Sequence, residues 1–312
     1  MSLSFFKRSA LPTETRWLNQ KELHDLQALA EKINTSTAAS DKQQTQQAGQ
    51  LNSRILGSGN DYAESRPYQN GDDPRSINWR LSARSQETFV KTYYADSRPT
   101  LAILLDQRKA MLFGTRKRLK INQALRASVL LSKAGVIHGL DFKAWVLTDH
   151  SLEYFDNSDA FLLKANKYEA TQERDFSASS NANVCFGSAL KEIRPQLATD
   201  SLFYIISDFS GLQKQQLAAL ASHCAIQTFH IIDPAEVSLN NIGSLSLEDS
   251  NGIGLKIETQ NDAQRVRFSS KVGAIIDSRK KTIADLNINY TRIMTDADSI
   301  HTQIYLPIKS TT

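Results

Sequence analysis

The sequence predicts an α/β protein on an open, doubly wound, mostly parallel sheet, with a small β-rich subdomain inserted before it and an N-terminal helix. Three observations carry this reading. Short apolar runs at Thr100–Asp106 and 201–207 have the make-up of strands buried in a parallel sheet, and 225–232 reads as a further strand. Stretches with helical periodicity separate them, which favours parallel crossovers. Two of the runs lead into aspartates, Asp106 and Asp208, at the carboxyl edge where open α/β sheets place their sites.

The elements follow in chain order. Residues 16–33 read as an amphipathic helix, with Asn19 and Glu22 as a capping pair and Leu23, Leu26, Ala30 and Ile33 on one face. Residues 34–50 hold almost no large apolar side chain and read as a flexible linker, because too little surface is buried to offset the ordering entropy. From 54 to 94 the pattern is short and irregular, with turn signals at 57–60 and 69–72 and a strand at 88–94. A strand at Thr100–Asp106 is followed by a helix over 116–138, a strand over 142–148 and its partner at 152–155. Helices are predicted at 159–169, 187–197 and 214–223, a polar loop at 177–183, and strands at 201–207 and 225–232. A hairpin over 244–258, a helix over 263–285 and a short strand with a tail over 287–309 complete the chain. The division that follows is 1–50 (helix and linker), 51–98 (β-rich), 99–240 (α/β body) and 241–312 (a closing hairpin, helix and tail).

Composition narrows the function. A 40% hydrophobic and 22% charged chain is ordinary for a globular protein, and 312 residues suffice for one large or two modest domains. No apolar run approaches the ~18–20 residues of a membrane span. The N-terminal apolar patch precedes Lys7-Arg8, the reverse of a secretory signal, so a cytoplasmic location is expected. Cys185 and Cys224 read as two buried thiols, and the six histidines include no pair at zinc-ligand spacing. A net charge of +4, spread along the chain, argues against a nucleic-acid partner. The basic run Arg116-Lys117-Arg118-x-Lys120 reads as a solvated face near a helix start. Neither a nucleotide-binding P-loop nor a G-x-S-x-G nucleophile elbow is present.

One block is specific enough to carry a resemblance: Arg66-Pro67-Tyr68-x-x-Gly71-Asp72-Asp73-x-Arg75-x-Ile77-x-Trp79, then Ser82-Ala83-Arg84 and Phe89-Val90-Lys91, with the strand to Asp106 and Ile206-Ser207-Asp208-Phe209 later. In these residues the chain resembles the DUF58 family, strongly over 50–240. That resemblance implies a von Willebrand factor A-like body and a non-enzymatic scaffold or adaptor. The implied partner is a MoxR-type AAA+ ATPase, acting with it in chaperone-like maturation of a client protein.

The von Willebrand-type metal site uses Asp-x-Ser-x-Ser, a threonine from a second loop and an aspartate from a third. Here Asp106 and Asp208 match, but Arg108 and Ala110 stand at the serine positions, and Asn183 or Ser188 is the candidate from the second loop. The site is therefore expected to be degenerate, without a cofactor, and Arg108 is expected to neutralise Asp106 or Asp208. The alternative is a metal-dependent ligand-binding or adhesion module holding Mg2+ or another divalent cation. The signature block also has two readings. Its arginines and aromatics suit a docking face. Equally, Asp72, Asp73, Arg75 and Arg84 could form a fixed ion-pair network while Trp79 fills a core slot, and this second reading is the preferred one.

Overall fold

The computed structural model of the protein describes residues 3–5, 16–33, 56–69, 72–85, 87–94, 99–167, 184–239, 244–249 and 254–307. The N-terminal part contributes strand β1 (Leu3–Phe5) and helix α1 (Gln20–Ala30). Strand β2 (Leu56–Pro67), a 3-10 turn at Pro74–Ser76, the one-turn helix α2 (Trp79–Ser82) and strand β3 (Phe89–Tyr94) follow. The body comprises β4 (Thr100–Asp106), α3 (Lys120–Ile137), β5 (Asp141–Leu147), β6 (Leu152–Phe155), α4 (Ser158–Ala165), α5 (Phe186–Ile193), β7 (Leu202–Ser207), α6 (Lys214–Ala221), β8 (Ala225–Ile232) and the short α7 (Pro234–Val237). Last come β9 (Ser244–Asp249), β10 (Gly254–Glu258), α8 (Asp262–Ala284) and β11 (Asn289–Met294).

Among the described residues the central sheet has the order β11-β8-β7-β4-β5-β6. Every pairing in it is parallel except β5 with the edge strand β6. All seven residues of β4 are buried, and they alternate between two cores. Leu101, Ile103 and Leu105 pack on the side of α1, α3 and α4, while Ala102 and Leu104 pack on the side of α5, α6 and Ile283 of α8. Burial on both faces is why the strand reads as a continuous apolar run rather than an alternating one. No helix among the described residues is long and apolar enough to cross a membrane.

Two glycines let α3 sit where it does. A Cβ at Gly135 would stand 2.4 Å from Leu101 Cδ2, so its absence permits the close approach of helix to strand. Gly139 has φ +66°, and the Leu140 amide donates to the Gly135 carbonyl at 3.0 Å, a Schellman end that turns the chain into β5. The helix begins at Lys120 rather than 116 because the preceding loop is held elsewhere. The Lys120 amide donates to the Phe113 carbonyl at 2.7 Å, and Thr115 is bonded to Asp233.

Helix α1 docks on the body. Trp17, Leu18, Leu26, Ala30 and Ile33 are buried in the α3-side core, and Leu18 exchanges backbone bonds with the Asn166 side chain at 2.7 and 3.1 Å. Asn19 accepts the Glu22 amide at 2.8 Å, the expected cap. Glu22 in turn pairs with Arg126 at 3.2 Å and Arg118 at 3.7 Å. Strands β9 and β10 pair antiparallel as the predicted hairpin, and β1 adds to β9. Strands β2 and β3 form a separate antiparallel ribbon with register irregularities. One expectation for the thiols needs correction: Cys224 is buried, but Cys185 is exposed, because it caps α5 instead of filling a core. The predicted linker 34–50 and loop 177–183 lie outside the described residues.

Candidate functional site at the carboxyl edge of the sheet

The strand order reverses at β4, which has β5 on one side and β7 on the other. A crevice forms beyond the carboxyl ends of strands at such a switch point. Asp106 ends β4 there, and Ser207-Asp208 ends the neighbouring β7. Asp106 is fully buried. Its Oδ1 accepts the Arg108 amide and Nε, both at 3.0 Å, and its Oδ2 accepts Arg108 Nη2 at 2.7 Å and Ser207 Oγ at 2.6 Å. Arg108 Nη2 also donates to the Ser210 carbonyl at 3.0 Å, and the guanidinium lies 5.1 Å from the centre of the Phe186 ring. Burial opposes the charge on Arg108, but Asp106, with Asp208 and Asp149 farther off, outweighs it and holds the guanidinium more firmly protonated than usual.

Asp208 faces a second buried cation. Lys120 Nζ, only 2% exposed, lies 2.7 Å from Glu236 Oε1 and 3.8 Å from Asp208 Oδ2. Ser210 donates to Asp208 through its amide at 2.8 Å and its hydroxyl at 2.6 Å. Arg279 of α8 donates to the Asp208 carbonyl at 2.7 Å. Burial alone would raise the Asp208 carboxyl, but Lys120, Arg279 and Arg108 together hold it well below the usual carboxylate range. To fit this loop, Phe209 takes φ +57° and Gly211 φ +77°.

Asp233 at the end of β8 is also fully occupied. Its Oδ2 accepts the Thr115 amide at 2.9 Å and Thr295 Oγ1 at 2.7 Å, while Oδ1 accepts Thr115 Oγ1 and the Ala235 amide. Glu236 Oε2 closes the capping box on the Asp233 amide at 2.8 Å. Beneath this layer, burial and then Arg279 push the His230 imidazole down to about 3, with Nδ1 2.9 Å from the Tyr290 hydroxyl.

The edge is thus a layer of buried carboxylates, each neutralised by a cation or saturated with donors. It does not suit a divalent ion. Arg108 delivers a positive charge where a von Willebrand-type site would take one, and Ala110 offers no oxygen. Ser188 donates to the Cys185 carbonyl at 2.7 Å within the first turn of α5, and Asn183 lies outside the described residues. The Ser188 hydrogen bonds hold the Cys185 thiol below its ordinary range.

Several residues of this layer escaped the sequence reading. Lys120, expected on a solvated face, is instead buried; in the sequence its apolar neighbours Leu119 and Ile121 are the local hint. Arg116, Lys117 and Arg118 pair with Asp296 and Asp298, across about 180 residues of chain. The Asp233-Pro234-Ala235-Glu236 capping box was readable, but its link to Lys120 was not.

The signature block is arranged differently from the preferred expectation. Arg66 and Asp72 form a bidentate pair at 2.6 and 2.8 Å. Asp73 caps the 3-10 turn by accepting the Arg75 amide at 2.9 Å. Arg75 and Arg84 are exposed, so the four-residue ion network does not form. Trp79 is 70% exposed rather than in a core slot, and Tyr68 is 37% exposed. The reason is local: α2 is one turn long, and among the described side chains of the ribbon only Val90 is buried. Gly71 lies outside the described residues.

A family model described as "Protein of unknown function DUF58" matches residues 64–275. The chain belongs to the DUF58 family. Uncharacterized proteins from Mycobacterium bovis and Mycobacterium tuberculosis are 23% identical to this DUF58 chain over 250 residues, covering 78% of it and 77% of each relative. Among solved structures, the conserved hypothetical protein BatB from Bacteroides thetaiotaomicron aligns with a TM-score of 0.38 and 14% identity, covering 66% of this chain and 94% of BatB. The family match includes both the signature block and the edge carrying Asp106, Arg108 and Asp208.

Proposed function

We propose that this DUF58 protein is a non-enzymatic scaffold or adaptor with a von Willebrand factor A-like body. It works in the cytoplasm with a MoxR-type AAA+ ATPase to mature or assemble a client protein. The observation that supports this reading best is the Arg108–Asp106 pair. It turns the crevice at the switch point into a rigid, neutralised surface, in which the buried carboxylates are already bonded to the protein's own donors. A general acid, a nucleophile or a metal ligand needs a lone pair or proton within reach of substrate. Asp106, Asp208 and Asp233 use theirs internally. Such a surface is suited to holding a partner in register.

Co-expression with the MoxR-type ATPase of the same organism, followed by size-exclusion chromatography, tests the proposal. Co-elution in at least one of the apo, ADP or ATP states is expected. Separate elution in all three overturns the partnership. Titration calorimetry with Mg2+ and Mn2+ tests the other half: micromolar binding that Asp106→Asn abolishes would favour the metal-dependent module instead.

A further inference from the structure

Among the described residues, the signature block holds a surface whose side chains make no hydrogen bond or ion pair within the fold. Helix α2 is pinned from behind by polar contacts. The Asn78 amide donates to the Phe89 carbonyl at 2.8 Å, Asn78 Nδ2 to Ser65 Oγ at 2.9 Å, and the Phe89 amide to Ser82 Oγ at 2.9 Å. The Arg66–Asp72 fork and the Asp73 cap fix the loop that leads into it. The framework is therefore rigid without any help from Trp79, whose indole stands 70% exposed. Leu81 and Tyr68, each 37% exposed, lie in the same block.

Three guanidinium groups stand close to the indole in sequence. Arg75, Arg80 and Arg84 are exposed, and among the described residues none of them pairs with a carboxylate. Arg80 and Arg84 stand four residues apart, one turn, with Ala83 between them still in the right-handed helical region. An exposed tryptophan on a pinned one-turn helix, with unpaired guanidinium groups one, four and five positions away in sequence, has the composition of an interface hot spot. A nucleic-acid backbone is the less favoured occupant. Between Glu64 and Lys91 five Lys/Arg stand against four Asp/Glu, too even a balance for a phosphate-binding field.

We infer that the α2 surface, centred on Trp79 with Arg75, Arg80 and Arg84, docks a protein partner that presents carboxylates around an apolar pocket for the indole. Resting on the adaptor reading above, it assigns that partner to the MoxR-type ATPase.

Trp79 itself provides the readout. The chain has three tryptophans, and Trp17 and Trp145 are buried at 5% and 1% exposure, so acrylamide quenching and the 5-fluorotryptophan spectrum single out Trp79. Adding the ATPase should shift the Trp79 fluorine resonance, assigned with Trp79→Phe, and leave the other two in place. Trp79→Ala should weaken binding by about 30-fold or more. Arg80→Glu with Arg84→Glu should weaken it further and flatten its salt dependence, with unchanged melting temperatures. If the wild-type protein binds and these variants bind equally well, the docking site is refuted and the adaptor reading stands. If the wild type does not bind, both fall. Loss of self-association, of single-stranded DNA binding or of anionic-vesicle binding in the same variants would assign the surface to that occupant and overturn the proposal.

Discussion

Arg108→Ala isolates the interaction on which the candidate site depends. The substitution removes two charge-assisted donors from Asp106 and one from the Ser210 carbonyl, leaving a fully buried carboxylate with Ser207 Oγ and one backbone amide. The Arg108 side chain is 11% exposed, so water replaces little of what is lost. Breaking a buried pair by removing one partner costs about 3–5 kcal/mol. For a domain of this size that corresponds to a fall of about 6–20 °C in melting temperature, at roughly 2–4 °C per kcal/mol. Removing the charge as well, in Asp106→Asn with Arg108→Met, should recover much of the loss, since a neutral, volume-matched replacement of a buried pair is often tolerated. Differential scanning calorimetry of the three proteins at pH 7 decides it. An Arg108→Ala melting point within about 2 °C of wild type, or a double variant no better than the single one, would refute the view that this pair holds the edge together.

Three further outcomes follow from the same layer. Arg108→Ser combined with Ala110→Ser rebuilds Asp-x-Ser-x-Ser after Asp106 and should gain an Mg2+- or Mn2+-dependent rise in melting temperature that the wild type lacks. A variant blind to both ions would show that the arginine is not what closes the site. His230 is neutral and buried, pushed down to about 3, whereas the unfolded chain takes up its proton near pH 6.5. Its contribution is therefore present above pH 6.5 and is lost as pH falls, by about 2 kcal/mol between pH 6.5 and 5. Urea titrations should show that slope in the wild type and not in His230→Gln; equal slopes would refute it. Lys120→Met leaves Glu236 and Asp208 facing each other without their shared cation and should cost about 3–5 kcal/mol. Adding Glu236→Gln should restore part of this in denaturant melts, and strictly additive losses would show that the two side chains are not coupled.

Features whose cause is local were legible in the sequence. Thr100–Asp106 reads as a buried parallel strand because burial on both faces imposes five apolar residues in a row, Leu101 to Leu105, and β7 likewise runs Leu202-Phe203-Tyr204-Ile205-Ile206. The Asn19 cap and the β5–β6 and β9–β10 pairings are short-range and were likewise visible. The pairing of Arg108 across two residues with Asp106 is local as well, and it appears as an arginine standing where a serine ligand belongs.

Partnerships across the chain were not legible. Lys120 meets Glu236 across 116 residues and Thr115 meets Asp233 across 118, so neither spacing nor periodicity distinguishes Lys120 from its solvent-facing neighbours Arg116 and Lys117. Trp79 failed for the opposite reason. Its apolar area argues for burial, but among the described residues the one-turn helix and the two-stranded ribbon bring no second layer over it. The sequence alone therefore determined the family, the α/β body and the aspartates at its carboxyl edge, because hydrophobic periodicity and strand-end position are one-dimensional properties. Only the tertiary structure decided which cation neutralises which carboxylate and which aromatic remains exposed, because those depend on which distant elements share a layer.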